Sequence, residues 1–285
     1  MLSSHHRPLL NRPCKTDFIR PYSPLEVVGR GWRRVIFLLL ILFITGCFSA
    51  RLHLPPQPAD STRFEELLSM MVDQDRKVSS FSATGRISVD GRLWNSGADT
   101  LIAGTREPLR VKIEVTHSWG KPLLTILIRD NRIEILEFSE KRFYIGEFSA
   151  FSLMRFFPGN YYNPQLIWSM LRGFPQGPSF HEIQTAGPSR VHLLDRQGDV
   201  TEVIDFNPET MSLEGVSLQE DSQTISFLNF MESNGVHYAS EVRLENSEQK
   251  PFVLKNRRMI FNREIPDQFF TIQKPSSFET VSLDN

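Results

Sequence analysis

The residue best placed for chemistry is Cys47, a thiol directly behind Thr45 and Gly46 at the end of the apolar run from Val35 to Ile44, which Arg33 and Arg34 precede. That run is roughly ten residues long, about half of the ~20 a helix needs to cross a bilayer core. A transmembrane helix is therefore a weaker reading than an export signal that ends in a small residue and a single cysteine. The chemistry such a thiol offers is acylation at a membrane; the alternative is an incidental or buried cysteine. Other chemistry finds little support. His117, His181, His192 and His237 are isolated, with no HExxH and no His–carboxylate spacing for a metal. Ser118-Trp119-Gly120 lacks the first glycine of a nucleophile elbow, and there is no glycine-rich phosphate loop. Arg129-Asp130 and Glu137-Ser139-Glu140 read as solvated turn charges. An enzyme is not expected.

Ile44-Thr45-Gly46-Cys47 resembles a bacterial lipobox. The resemblance implies cleavage between Gly46 and Cys47, acyl chains such as palmitate on the Cys47 thiol, and Cys47 as the lipidated N-terminus. No cofactor beyond that covalent lipid is expected. Phe48 follows where an Asp would mark inner-membrane retention, so the rule for such lipoproteins puts the anchor in the outer membrane, facing the periplasm.

Charge narrows the partners. Of 32 basic and 33 acidic residues, 7 basic and 2 acidic ones precede Cys47, which leaves 25 against 31 and a net charge of −6 for the exported part. A nucleic-acid partner is excluded, because the phosphate-neutralising surface is missing. Cys14 falls in the removed part, so the exported part has no thiol besides Cys47 for a disulfide or a cysteine-based metal site. The fold must rest on its core, and 22 Phe against 5 Tyr and 4 Trp suggest a roomy apolar interior.

Residues 1–30 are rich in Pro, His, Ser and Arg and show no period, so the translation start is expected downstream of Met1. The reading divides the chain into 1–46, a signal with an unstructured N-terminal extension; 47–60, the acylated cysteine and a tether carrying Pro55, Pro56 and Pro58; 61–278, the folded domain; and 279–285, a tail. The domain opens with a helix: Thr62 and Glu65 have capping-box spacing, and Phe64, Leu67, Leu68, Met71 and Val72 line one face.

From Phe81 the period becomes two. Phe81, Ala83, Gly85, Ile87 and Val89 alternate with polar residues, and strand patterns follow at Leu93–Asn95, Ala98–Gly104, Leu109–Thr116, Leu123–Ile128, Arg132–Phe138 and Arg142–Glu147. A Phe-rich segment from Phe148 to Phe157 interrupts them. A short helix comes next, with Asn163 as cap, Pro164 at its first position, Leu166, Ile167, Met170 and Leu171 as its apolar side, and Gly173 as its stop. Strand patterns resume from Phe180 and end at Phe261. The order implies a mainly β, α+β fold: a curved antiparallel sheet of about eleven to thirteen strands, an incomplete barrel whose apolar inner side short helices cover.

FSATGRIS from Phe81, PLRVKIEV from Pro108, Ser118-Trp119-Gly120, QLIWSMLRGF from Gln165, and Ile265-Pro266 through Phe269-Phe270, in this order and behind a lipobox, resemble the LolB and LolA group of lipoprotein-sorting proteins. The resemblance spans about Phe64 to Pro275. It implies an open barrel with a helical lid whose cavity takes acyl chains, and in lipid-anchored members the receipt of lipoproteins and their insertion in the outer membrane. Its partners would be membrane lipids, lipoprotein or lipid cargo, and a periplasmic LolA-like carrier. The residue matching the family's membrane-touching loop is Trp119, a Trp where a smaller aliphatic side chain is expected; leaving it in water forgoes about 2–3 kcal/mol, and its ring suits a headgroup boundary. Cavity candidates are Val111, Ile113, Val115, Leu124, Ile126, Ile128, Ile133 and Ile135; lid candidates are Phe151, Met154, Phe156, Leu166, Ile167 and Met170. A plain sandwich core would ask for the same residues, and a scaffold with a filled groove is the alternative to a carrier.

Overall fold

The computed structural model describes residues 61–89, 97–149, 156, 163–220, 223–246 and 249–284, all within one compact unit. The i, i+3, i+4, i+7 stripe of Phe64, Leu67, Leu68 and Met71 forms the buried side of α1 (Ser61–Arg76). Alternation then produces β1 (Ser80–Val89), β2 (Ala98–Thr105), β3 (Arg110–Thr116), β4 (Pro122–Arg129), β5 (Arg132–Glu137) and β6 (Arg142–Glu147). After α2 (Pro164–Arg172) come β7 (Glu182–Thr185), β8 (Arg190–Leu194), β9 (Val200–Phe206), β10 (Leu213–Glu220), β11 (Gln223–Ser233), β12 (Val236–Asn246), β13 (Gln249–Phe261) and β14 (Glu279–Ser282).

These strands make one unclosed 14-stranded sheet in the order β14-β6-β5-β4-β3-β2-β1-β13-β12-β11-β10-β9-β8-β7. Two meanders, β1 to β6 and β7 to β13, meet where Phe81 of β1 pairs with Phe261 of β13. Every neighbouring pair is antiparallel except β14 on β6, where Glu279 faces Arg142 in parallel register. The expected architecture is present, an incomplete antiparallel barrel with helices. Its strand count exceeds the expected range, and the region read as a tail holds β14. The Leu93–Asn95 strand pattern lies outside the described residues.

A parallel partner requires a crossover, and residues 262–278 supply it across the outer face. Arg110 and Lys112 alternate with the inward Val111 and Ile113; the Arg110 guanidinium lies 4.7 Å from the Phe270 ring centre and the Lys112 ammonium 4.9 Å from that of Phe269. Leu127 and Leu136, on that outer face of β4 and β5, are buried there and stand outside the main core. Phe278 meets Phe138 edge-on at 5.6 Å.

The main core lies between the inner face and the helices. α2 starts as its caps require: the Asn163 side-chain oxygen accepts from the Leu166 N–H at 2.6 Å, Pro164 follows, and Gly173 adopts left-handed φ 74°. Gly173 is also needed for packing. Its carbonyl accepts from the Ala239 N–H of β12 at 2.6 Å, and a Cβ there would stand 2.9 Å from the Ala239 carbonyl oxygen. The helix is buried all round from Leu166 to Arg172, beyond the single apolar side that its periodicity predicts.

Candidate functional site

The eight cavity candidates fall into three registered rows on β3, β4 and β5. Val111 pairs with Ile128 and that with Ile133; Ile113 pairs with Ile126 and that with Ile135; Val115 pairs with Leu124. Alternation places all eight on the inner face, and all are buried in the main core. Phe81, Ala83 and Ile102 continue the first two rows toward the centre of the sheet.

Of the lid candidates, Leu166, Ile167 and Met170 are buried on α2, and Phe156 is buried with its ring edge-on to Tyr144 of β6 at 5.3 Å. Phe151 and Met154 lie outside the described residues, as does Cys47. The helices dock on the sheet through named contacts. Phe64 of α1 meets Phe206 of β9 at 5.4 Å, and Trp168 of α2 meets Phe81 of β1 at 5.2 Å. The Gln74 side chain of α1 accepts from the His237 N–H at 3.1 Å and donates to the Gly235 carbonyl at 3.4 Å, which ties the helix to the β11–β12 turn.

Helix is tied to helix by charge. Arg172, the largest fully buried side chain among the described residues, donates to the Gln74 carbonyl at the C-terminal end of α1, lies 3.6 Å from the Asp75 carboxylate and stacks 4.7 Å from the Phe174 ring centre. Asp75 also receives Arg106 of the β2–β3 loop at 2.7 Å. Burial lowers the Arg172 guanidinium to about 10, against the pull of Asp75 and with the help of Arg106's like charge. Arg172 therefore stays charged at neutral pH, in a site where its Nε and Nη1 find no hydrogen-bond partner among the described residues.

Trp119 is 72% exposed, the most exposed large apolar side chain among the described residues. The turn that carries it is tight: the Gly120 N–H donates to the His117 carbonyl and the His117 N–H to the Lys121 carbonyl, both at 2.8 Å. Gly120 at φ +86° permits that closure. The His117 ring stacks flat on the indole at 4.1 Å, so the side chain is held outward on a firm base.

Inner-face polar residues went unnoticed at the level of sequence. Glu137, expected to be a solvated turn charge, is buried, because alternation from Ile133 and Ile135 turns it inward; it accepts from Tyr144 Oη and Ser139 Oγ, each at 3.1 Å. Glu202 of β9 is in phase with Ile204 and Phe206, and with nothing charged to offset it, burial raises its carboxyl to about 8. Among the described residues its Oε1 has no hydrogen-bond partner, and neither has Gln223 Oε1 at the start of β11.

Glu202 makes stability depend on pH. Below about 4.5, its ordinary value, folded and unfolded chains both carry the proton and the contribution is complete; between there and about 8 the unfolded chain releases the proton first, so stability falls as pH rises and levels off above 8. Glu202→Leu is expected to remove that decline, so that the variant gains most over the unaltered chain at pH 8 and above. Urea-denaturation midpoints from pH 5 to 9 check this; parallel curves for the two proteins would refute it.

No described helix is long and apolar enough to cross a membrane. No family model and no curated protein matches the chain. Among solved structures it is similar to a DUF1329 family protein from Desulfovibrio piger (11% identity, 73% of this chain and 96% of that one, TM-score 0.46). It is also similar to lipoprotein LppX of Mycobacterium tuberculosis (11% identity, 73% and 99%, TM-score 0.33). A LolA superfamily protein from Nitrosomonas europaea is likewise similar, at 11% identity over 72% of this chain and 97% of that one, with TM-score 0.44.

Proposed function

We propose that this chain is a lipid-anchored envelope protein that shelters acyl chains against the inner face of its half-barrel, receives lipoproteins or lipids and inserts them in the outer membrane. Cys47 holds it there, 47–60 is the tether, and a periplasmic carrier of LolA type would hand over the cargo. The observation that carries the reading is Trp119, held exposed on a short turn of a sheet whose inner face carries apolar rows across β1 to β5, interrupted by Thr100 and Glu137. Work here is reversible burial without covalent chemistry. At about 0.8 kcal/mol per methylene, an acyl chain of ordinary length competes with the side chains that now fill the inner face.

Those side chains are closely packed, Val111, Val115, Ile126, Ile133 and Ile135 having no solvent exposure at all, so cargo enters only when the helices move off the sheet. The same packing favours a second reading, an interaction module of an envelope complex whose groove stays filled. Native mass spectrometry of the purified chain separates the two. Co-purified lipid of one to a few acyl chains is the expected result; a chain that stays empty after incubation with lipid supports the interaction module.

A further inference from the structure

Within the second meander, the register sets Leu193, Glu202, Leu218, Ile225, Leu244 and Phe252 side by side from β8 to β13. Glu202 is the polar member of an otherwise apolar inner row. It is 5% exposed, and no group among the described residues bonds its Oε1. Gln223, two residues before Ile225 and on the same side of β11, is 3% exposed with its Oε1 equally unpaired. Gln223 Oε1 can only accept and is left without a donor among the described residues; Glu202, which keeps its proton at neutral pH, has a hydroxyl to give to a carbonyl as well as an oxygen to accept, so the discrimination falls to Gln223.

Both lie near the strand ends that also carry Trp119. The row runs on from Phe252 to Val89 at the end of β1, Ala98 faces Ile87 across β1 and β2, and Asp99 faces Thr116, the last residue before the Trp119 turn. An amphiphile entering from a membrane at that turn would run its chain inward along the apolar rows and leave its polar linkage near these strand ends. The Gln223 Oε1 and the Glu202 carboxyl stand at that depth. A carboxamide oxygen without a partner needs a donor, which an ester linkage lacks and an amide N–H or a hydroxyl has.

We infer that Glu202 and Gln223 form a polar subsite that selects lipids with a hydrogen-bond donor beside the acyl chain, an amide N–H or a hydroxyl, over lipids linked only by esters. The inference rests on the acyl-binding reading. It adds to it a chemical preference that apolar burial alone cannot produce, since a site built to hydrogen-bond a group discriminates against the analogue lacking it.

Two probes of equal length isolate the effect, N-methylpalmitamide with one N–H and methyl palmitate with none. Each is delivered from cyclodextrin to the detergent-free full chain and followed by tryptophan fluorescence. The amide is expected to bind about tenfold more tightly, and Glu202→Leu with Gln223→Leu is expected to erase the difference while methyl palmitate still binds. Equal affinities in the unaltered chain overturn the subsite and leave the acyl-binding reading standing; no binding of either probe overturns both. A peptide with an N-palmitoyl cysteine distinguishes the sources of the donor. Binding tighter than that of N-methylpalmitamide points to a lipoprotein terminus, equal binding to a free amide or hydroxy lipid, and binding weaker than that of methyl palmitate counts against the subsite.

Discussion

Asp75→Ala is expected to destabilise the fold by roughly 3–5 kcal/mol, the cost of leaving a buried cation without its partner. Arg172 is fully buried, and Asp75 is the one carboxylate among the described residues paired with it. The same carboxylate holds Arg106, so its removal leaves two guanidinium groups facing each other across the α1–loop junction. Arg172→Met removes the cation and keeps most of the volume, so Asp75→Leu with Arg172→Met should recover much of the loss; buried pairs replaced by apolar residues of like size are often neutral. Urea midpoints at pH 7 measure both. A loss below about 1 kcal/mol in Asp75→Ala would show that the network does not hold the helices.

That network also bears on function. It joins the end of α1, the end of α2 and the β2–β3 loop at one point, while Trp168 Nε1, Ser169 Oγ and Asn256 Oδ1 nearby in the fold are buried without hydrogen-bond partners among the described residues. Partly satisfied polar groups hold less firmly than apolar packing of the same area. The cluster adds to the Phe64–Phe206, Trp168–Phe81 and Gln74 contacts that dock the helices on the sheet, and it sits over polar groups left unsatisfied. Loosening the cluster should therefore raise uptake of a hydrophobic dye before the sheet itself melts.

Much of this was legible in the chain. Period-two patterns placed most of the strands because one face of each meets the core, and Asn163, Pro164 and Gly173 marked the ends of α2 by backbone chemistry that needs no tertiary context. β14 was not legible: Glu279–Ser282 has four residues and a single apolar one, Val281, and its pairing depends on a crossover fixed by Phe269, Phe270 and Phe278 against β3 and the β5–β6 turn. Arg172 was invisible for a different reason. Its charge reads as solvated on a helix surface, and only the meeting of two helices buries it. Glu202 could have been found, since it shares the phase of Ile204 and Phe206, but a polar residue in an alternating pattern is ordinarily read as a break in the pattern.

Cys47→Ala is expected to abolish stable membrane residence even with Trp119 intact, and magnitudes decide it. Burying an indole contributes about 2–3 kcal/mol, the strength of a brief encounter. One acyl chain is worth about 0.8 kcal/mol per buried methylene yet anchors only reversibly, and a second chain makes the attachment lasting. Flotation with liposomes should thus leave Cys47→Ala in the soluble fraction. Trp119→Glu should stay with the membrane and lose its touch on the bilayer, with cargo insertion slowed while cargo binding by the inner face is unchanged. Cys47→Ala that floats as before would remove the anchor from Cys47, and Trp119→Glu that delivers cargo at the original rate would remove the turn from the transfer step. The two variants separate two roles that a single loss of membrane binding would merge: residence at the membrane, which the proposal gives to acyl chains on Cys47, and orientation of the strand ends toward the lipid, which it gives to the exposed Trp119 ring.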